Sequence, residues 1–199
     1  MHADACLFCR PRDPAAILFE TDSLCVMPDD FLLLPGHILI IPKQHLRCYA
    51  AGTPELWREL DEVAARVRRF LDDAYGAAVG TSETGVTGQT VSHAHLHLLP
   101  IGLEAVPAEI AAHPDLQPMD DWADVAARFA EHGEYYYVEI GGQRCVASSY
   151  SSPPIQAMRH AIAEVAGLTL DGHRFERAAG DQGVVELRRR WHAWVSAPR

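Results

Sequence analysis

The sequence contains no apolar run long enough to span a membrane, and its first residues lack the basic stretch and apolar core of a secretion signal. Basic residues are scarce, since 17 Lys and Arg stand against 27 Asp and Glu, for a formal net charge of -10. Such a surface repels phosphate backbones, so we expect neither general nucleic-acid binding nor a membrane partner. The 5 cysteines cannot all pair, which argues against a disulfide framework and favours a cytoplasmic protein.

The first half of the chain reads as strand, strand, long helix, loop and strand. Two short apolar runs, Leu24 to Met27 and His37 to Ile41, are separated by turn residues and predict neighbouring strands. Thr53 to Gly76 has helical periodicity, with Thr53 suited to the cap and Gly76 to the stop. The Gly- and Thr-rich stretch at 81–90 is typical of a loop.

The second half is less regular. Residues 101–119 are rich in proline and glycine among apolar residues and predict a connecting segment. Asp120 to His132 has a weak helical pattern, and the following run predicts a hairpin that turns at Gly141 and Gly142. Pro153 to Ala166 and the segment VVELRRRWHAWV predict two further helices, the last docked by Trp191 and Trp194.

The stretch SHAHLHLLP carries histidines at every second position. In an extended strand His93, His95 and His97 share one face, and the small and apolar residues between them share the other. Three interpretations compete: polar residues on a solvent-exposed edge strand, a three-histidine metal site, or a catalytic site in which one histidine is the nucleophile and the others assist it. Because the outer two positions are about 13 Å apart along a strand, one ion cannot easily hold all three. The spacing therefore favours the third interpretation.

The stretch GQTVSHAHLHLLP resembles the signature of the histidine triad (HIT) family. PGHILIIPKQH is similar to the family's upstream strand, and CLFC is similar to the opening of many bacterial members. The resemblance covers about residues 5–101. It implies an α+β, HIT-like fold with an antiparallel sheet of about five strands and one long helix. It also implies a HIT domain at 1–104, a C-terminal hairpin-and-helix extension at 105–199 that packs on it, and a homodimer.

The family transfers a nucleotidyl group through a covalent histidine, so the resemblance implies that His95 is the nucleophile. His93 and His97 would complete the triad, and Gln89 and Thr90 would lie near the α-phosphate. The implied activity is hydrolysis of a nucleoside phosphoramidate or a dinucleoside polyphosphate. Two alternatives stay open: a nucleotidyltransferase or phosphorylase with phosphate or a sugar phosphate as acceptor, and a zinc-stabilised nucleotide-binding protein with little turnover.

The resemblance also implies where a nucleotide would bind. Asp29 stands where relatives hold the ribose hydroxyls, His37 stands near the nucleotide, and Phe8, with Leu7 and Met27, would form the slot for the base. Ser82 departs from the family, since related sequences usually carry Asn or Gln there. The shorter hydroxyl puts the rate and the preferred leaving group in question.

A zinc site is the last implication of the resemblance. Relatives that open with Cys-x-x-Cys complete it with the His of Pro-Lys-x-His and the first triad histidine, which here gives Cys6, Cys9, His45 and His93. Two thiolates and two imidazoles form a closed, structural set. Redox or unpaired core cysteines are the alternative.

In the tail, Gln156 and Arg159, with Tyr150 and Ser151, are expected to approach the leaving side of the substrate. A solvated helix face that only covers the sheet is the alternative.

Overall fold

The computed structural model describes residues 6–9, 16–30, 32–171, 174–175 and 181–198. The strands are β1 (Phe19–Glu20), β2 (Leu24–Pro28), β3 (Ile38–Pro42), β4 (Val79–Gly85), β5 (Leu96–Pro100), β6 (Gln117–Pro118), β7 (Tyr135–Ile140), β8 (Gln143–Ala147), β9 (Leu170–Asp171) and β10 (Arg174–Phe175). The helices are α1 (Pro54–Tyr75), α2 (Ala108–Ala111), α3 (Trp122–His132), α4 (Pro153–Ala166) and α5 (Asp181–Ser196).

The α+β fold is built on one antiparallel sheet with the strand order β1-β2-β3-β5-β4-β7-β8-β6. This confirms the fold class, but the expected five strands are too few, because the described residues alone form eight strands of the sheet. The hairpin β7–β8 pairs along the free side of β4 and continues the sheet, rather than forming a separate layer. The two halves of the chain therefore share one sheet.

Helix α1 packs on one face of this sheet, and the larger hydrophobic core lies between the two. Thr53 caps it by accepting from the Leu56 amide, and Gly76 ends it in the left-handed conformation with φ 62°, as the sequence predicts. Its buried side chains include Leu60, Val67 and Phe70. Helices α3 and α5 contact α1 on this side, whereas α4 packs on the opposite face in a second core cluster.

The expectation of a loop over 81–90 is wrong for its first half, because β4 runs to Gly85. The strand carries Thr81 and Glu83 at buried positions, where an apolar alternation would be expected. Both side chains are hydrogen-bonded by distant parts of the chain, Thr81 by Arg68 and Glu83 by Tyr135. Tertiary partners therefore make a strand out of residues that read locally as a turn.

The C-terminal elements follow the sequence more closely. The hairpin turns at Gly141 and Gly142, both at positive φ, and α4 has the predicted bounds. The predicted helix from Asp120 begins only at Trp122, since Asp121 forms a capping box before it. The connecting segment 101–119 contains the short elements α2 and β6. Helix α5 is longer than expected, and its Trp191 stacks on Phe19 at 5.2 Å.

Within the described part of the chain, no helix combines the length and the apolar character that a membrane span requires.

Candidate active site

The histidine row lies in the middle of the sheet, because β5 is flanked by β3 and β4. This rules out the interpretation as the wet face of an edge strand. His97 belongs to β5, while His93 and His95 precede the first paired residue and are held there by the Ala94 amide, which donates to the Leu46 carbonyl at 2.7 Å. Ala94, Leu96 and Leu98 pack into the α1-side core, so the predicted alternation of faces is confirmed.

His95 has a fixed tautomer. Its Nδ1 lies 2.7 Å from the His93 carbonyl oxygen, which can only accept, so Nδ1 carries the proton and Nε2 keeps its lone pair. The ring is 7% exposed and lies edge-on to Phe8 and His97, with centroids 5.2 and 4.8 Å away. Burial lowers the pKa of His95 below 6.5, against the opposing effects of the His93 carbonyl and Asp29. The imidazole is therefore neutral at pH 7.

A chain of hydrogen bonds also orients His97. The Leu33 amide lies 3.3 Å from His37 Nδ1, and it can only donate, so the proton of the neutral His37 ring is on Nε2. That Nε2 donates to His97 Nδ1 at 2.9 Å, which leaves His97 with its own proton on Nε2. Burial lowers the pKa of His37 to about 4 and the pKa of His97 well below 6.5. His97 is thus a neutral hydrogen-bond donor.

Asp29 and Phe8 flank this histidine cluster. The Asp29 carboxylate lies 3.5 Å from His37 Nδ1 and is 15% exposed, so it borders the cluster and still reaches solvent. Phe8 packs on Met27, Leu39 and Ile41, a small apolar cluster separate from both larger ones. Leu7, by contrast, is exposed and lies outside it.

The loop before the histidines is braced by Gln89. Its Nε2 donates to the carbonyls of Arg47 and Thr84, each at 2.9 Å, and so ties the loop to the segment after β3 and to β4. Thr90 is exposed. Val86, in the same loop, has φ 80°, a strained conformation for a β-branched residue. Direct contacts of Gln89 and Thr90 with a phosphate stay a prediction.

Cys6, Cys9, His45 and His93 bring four ligand atoms within 4.8 Å of one another. The distances from Cys6 Sγ to His93 Nδ1 and from Cys9 Sγ to His45 Nδ1 are 3.3 and 3.2 Å. Tetrahedral zinc, with bonds of about 2.3 Å to sulfur and 2.0 Å to nitrogen, needs about 3.5 Å between such atoms. His93 Nε2 donates to the Pro42 carbonyl at 2.8 Å, which leaves Nδ1 unprotonated and directed at the thiols. The donor set therefore fits zinc.

A row of directly paired residues runs across the sheet from the Phe8 cluster past the histidines. In order across the strands, its members are Met27, Leu39, His97, Ser82 and Val138. Directly opposite residues share a face of the sheet, so all five side chains lie on one face. This is the face on which α4 packs.

A cavity of about 170 Å³ opens on this face beside His97 and Ser82. Tyr150 and Arg159 from the C-terminal half line it, together with small and polar residues of β4 and apolar residues of β5 and β7. The Arg159 guanidinium is buried and lies 4.8 Å from the centre of the Tyr150 ring, while Gln156 donates to the Tyr150 carbonyl at 2.7 Å. Ser151 is exposed and does not line the cavity.

Sequence reasoning missed the buried carboxyl groups behind this face. Glu83 is fully buried and accepts from the Tyr135 hydroxyl and, at 2.8 Å, from the Tyr49 amide. Burial raises the pKa of Glu83 to about 8. Glu139 accepts from Arg68 at 2.6 Å and from Tyr137 at 2.7 Å. The triple tyrosine before Glu139 was the available signal, since buried phenols need partners.

The family match rests on the N-terminal half. The sequence model of the HIT domain matches residues 10–102. An uncharacterised HIT-like protein of Synechocystis is 36% identical over 97 residues, which cover 45% of this chain and 82% of that protein. The chain therefore belongs to the HIT family.

Two further relatives carry descriptive names. The bifunctional bis(5'-adenosyl)-triphosphatase/adenylylsulfatase of Arabidopsis thaliana is 28% identical over 92 residues, covering 44% of this chain and 51% of that protein. A Zn-bound histidine triad family protein from Mycobacterium smegmatis, known from a crystal structure, is 26% identical in sequence. Its structure matches this one with a TM-score of 0.44, and the match covers 50% of this chain and 76% of that chain.

Proposed function

We propose that this protein is a nucleotide hydrolase that cleaves a phosphoramidate or phosphoanhydride bond at the α-phosphorus through a nucleotidyl-His95 intermediate. The observation that carries the proposal is the hydrogen bond from His95 Nδ1 to the His93 carbonyl, because it leaves Nε2 as a free nucleophile. The lowered pKa of the ring keeps that lone pair available at neutral pH. The name of the plant triphosphatase relative adds support for the nucleotide class.

The reaction would proceed in two displacements. His95 Nε2 forms a bond to the α-phosphorus, and the bond to the leaving nitrogen or oxygen breaks with its electron pair going to the leaving group. Water then attacks the same phosphorus, the phosphorus–His95 bond breaks, and the nucleoside monophosphate is released. Over both steps the water supplies a hydroxyl to phosphorus and a proton to the leaving group. His97, with its proton on Nε2, would donate to a phosphate oxygen.

The nucleotide would lie along the face that carries the histidines. The base would pack on Phe8 and Met27, in the apolar cluster on β2 and β3. Asp29 would accept from the ribose hydroxyls, since its carboxylate borders the histidine cluster and is partly exposed. If phosphate or a sugar phosphate replaced water as the acceptor, the same site would act as a transferase or phosphorylase.

Zinc would have a structural role. Cys6, Cys9, His45 and His93 form a closed set, with all four tetrahedral positions taken by protein atoms, so the ion would tie the N-terminal segment to the histidine row. The family resemblance also predicts a homodimer.

His95→Ala tests the proposal. We expect the variant to lose turnover of adenosine and guanosine phosphoramidates by about 10⁴-fold or more, because no other group replaces the nucleophile, while nucleotide binding by calorimetry persists. The control is His192→Ala, which removes an exposed histidine of α5 and leaves turnover unchanged. Mass spectrometry of the quenched wild-type reaction should trap a nucleotidyl adduct on His95. Unchanged turnover in His95→Ala would end the proposal, and tight binding without product in the wild type would favour the binding-protein alternative.

A further inference from the structure

We infer that Tyr135 is a positioning residue for the nucleophile His95, and that it acts through the bridging segment, residues 45–50. The inference rests on the proposed function and adds a residue on which the rate of that reaction depends. Tyr135 begins β7 and lies outside residues 10–102, which match the family. The C-terminal half of the chain thereby takes part in the reaction without touching the substrate.

The first part of the bridging segment holds the backbone of the histidine row. The Leu46 carbonyl accepts from the Ala94 amide at 2.7 Å. Ala94 lies between His95 and the residue whose carbonyl fixes the tautomer of His95. The next carbonyl, of Arg47, accepts from Gln89 at 2.9 Å, the side chain that also ties the preceding loop to β4. A shift of the bridging segment therefore moves the nucleophile.

The second part of the bridging segment is held by Tyr135 and Glu83. The Tyr49 amide donates to the Glu83 carboxyl at 2.8 Å, and the Ala50 amide donates to the Tyr135 hydroxyl at 3.1 Å. That hydroxyl is also hydrogen-bonded to Glu83. All four residues are buried. Because a buried amide without a partner is unfavourable, these bonds fix the position of the segment.

The ring of Tyr135 is held independently of its hydroxyl. Gly85 lies directly opposite it on β4, and a methyl group at that position would overlap the ring. Phe129 of α3 packs edge-on against the other side chain, with ring centroids 5.9 Å apart. Tyr135→Phe therefore keeps the ring in place and removes only the hydroxyl that reaches the bridging segment.

Tyr135→Phe and the matched control Tyr137→Phe test the inference in the full-length protein. Tyr137 is also buried on β7 and donates to a buried carboxyl, Glu139, at 2.7 Å, but Glu139 is paired with Arg68 of α1. With adenosine phosphoramidate, we expect Tyr135→Phe to lower kcat about tenfold, because small displacements of reacting groups slow the chemical step. KM should stay within about twofold, since the residues proposed to bind the base and ribose are unchanged. Tyr137→Phe should keep both constants.

Hydrogen exchange of the Ala94 amide, measured by NMR, reports the link directly. The amide of Val67, in the middle of α1, is the reference in the same sample. A general loss of stability speeds exchange at both amides, whereas a displaced bridging segment speeds exchange at Ala94 alone. We expect the ratio of the two rates to rise about tenfold in Tyr135→Phe and to stay at the wild-type value in Tyr137→Phe.

Trp57→Phe provides a second test, in case Tyr135→Phe does not fold. Trp57 is partly buried on α1, and its indole nitrogen donates to the Tyr49 carbonyl at 2.7 Å, so it also holds the bridging segment. We expect kcat to fall about threefold at unchanged KM, and an unchanged kcat would overturn the inference. Equal values of kcat in Tyr135→Phe and Tyr137→Phe would also overturn it and leave the hydrolase proposal standing. A wild type without turnover would count against the proposed function, and the positioning role would fall with it.

Discussion

Glu83 is a carboxyl group placed where water cannot reach it, between a tyrosine hydroxyl and a backbone amide. Burial has the largest effect on its pKa and outweighs the opposing hydrogen bonds from Tyr135 and Tyr49, so the group holds its proton to about pH 8. In the unfolded chain the same carboxyl ionises near pH 4.5. Because the native state binds this proton more tightly than the unfolded state, Glu83 favours folding at low pH and opposes it as the pH rises.

Glu83→Gln should therefore change the pH dependence of stability. For the wild type, the contribution of Glu83 to the free energy of unfolding is full below pH 4.5 and falls by up to about 1.4 kcal/mol per pH unit until pH 8. The carboxamide cannot ionise, so the variant should have a flatter profile across that range in urea titrations. Glu164→Gln, at an exposed site on α4, is the control and should follow the wild type. Parallel profiles for Glu83→Gln and the wild type would contradict the assignment.

His95 and Glu83 differ in how far the sequence reveals them. The alternation around His95 is a local pattern, and the strand geometry that follows from it gives the shared face of the three rings. Glu83 has no such pattern, because its partners Tyr135 and Tyr49 lie 52 and 34 residues away in the chain. Without knowledge of those partners, the Gly- and Thr-rich stretch that contains Glu83 is predicted to be a turn.

At the scale of elements, side chains that fit a metal connect the segment Cys6 to Cys9 to the residues around the histidine row. Cys6 and Cys9 approach His93, and Cys9 approaches His45. Phe8, between the two cysteines, lies edge-on to both His93 and His95. If zinc binds these four ligands as proposed, its loss would therefore release Phe8, the proposed wall of the base slot, as well as the ligands.

Metal removal should destabilise the protein and weaken nucleotide binding together. We expect one zinc per chain by elemental analysis and a fall in Tm of about 10 °C on chelation, which corresponds to roughly 3–4 kcal/mol for a chain of this size. Cys9→Ser should lose the zinc and melt at the lower temperature without chelator. Cys25→Ser changes a cysteine outside the cluster and should behave as the wild type. A chelator-treated wild type that melts at the original temperature would exclude structural zinc.

Elements with their own boundary signals were predictable. Helix α1 has Thr53 and Gly76 at its ends, and α4 has Pro153 and Gly167. Strand β4 lacks such signals, and the number of strands in the sheet depends on pairing between β4 and β7, which are about fifty residues apart. The cavity was beyond prediction for the same reason, since its walls come from both halves of the chain.

Across the whole molecule, the two halves are joined by more than the pairing of β4 with β7. Arg68 of α1 donates to Glu139 of β7 at 2.6 Å, and Arg144 of β8 contacts both Glu139 and, at 3.0 Å, Asp61 of α1. Glu139 is buried and the two arginines are partly buried, and without the C-terminal half Arg68 and Asp61 would lose these charged partners. Truncation after residue 104 would also expose the full length of β4, with one row of its amides and carbonyls unpaired.

A chain of residues 1–104 should therefore be much less stable than the whole protein, or associate through β4. We expect a broadened or absent thermal transition by circular dichroism and oligomers by light scattering. Co-expression of residues 105–199 as a separate chain is the control and should restore a soluble complex. A monomeric 1–104 fragment with a Tm close to that of the full chain would show that the N-terminal half folds independently.

The two outer strands of the main sheet, β1 and β6, contain two residues each, and β6 ends at Pro118, which has no amide hydrogen to offer. Such short outer strands offer a neighbouring polypeptide little backbone to pair with. If two copies of the chain associate, we expect side chains on their helices and loops to supply most of the contact. Substitutions of exposed side chains could then weaken the association of two copies without affecting the fold of each copy.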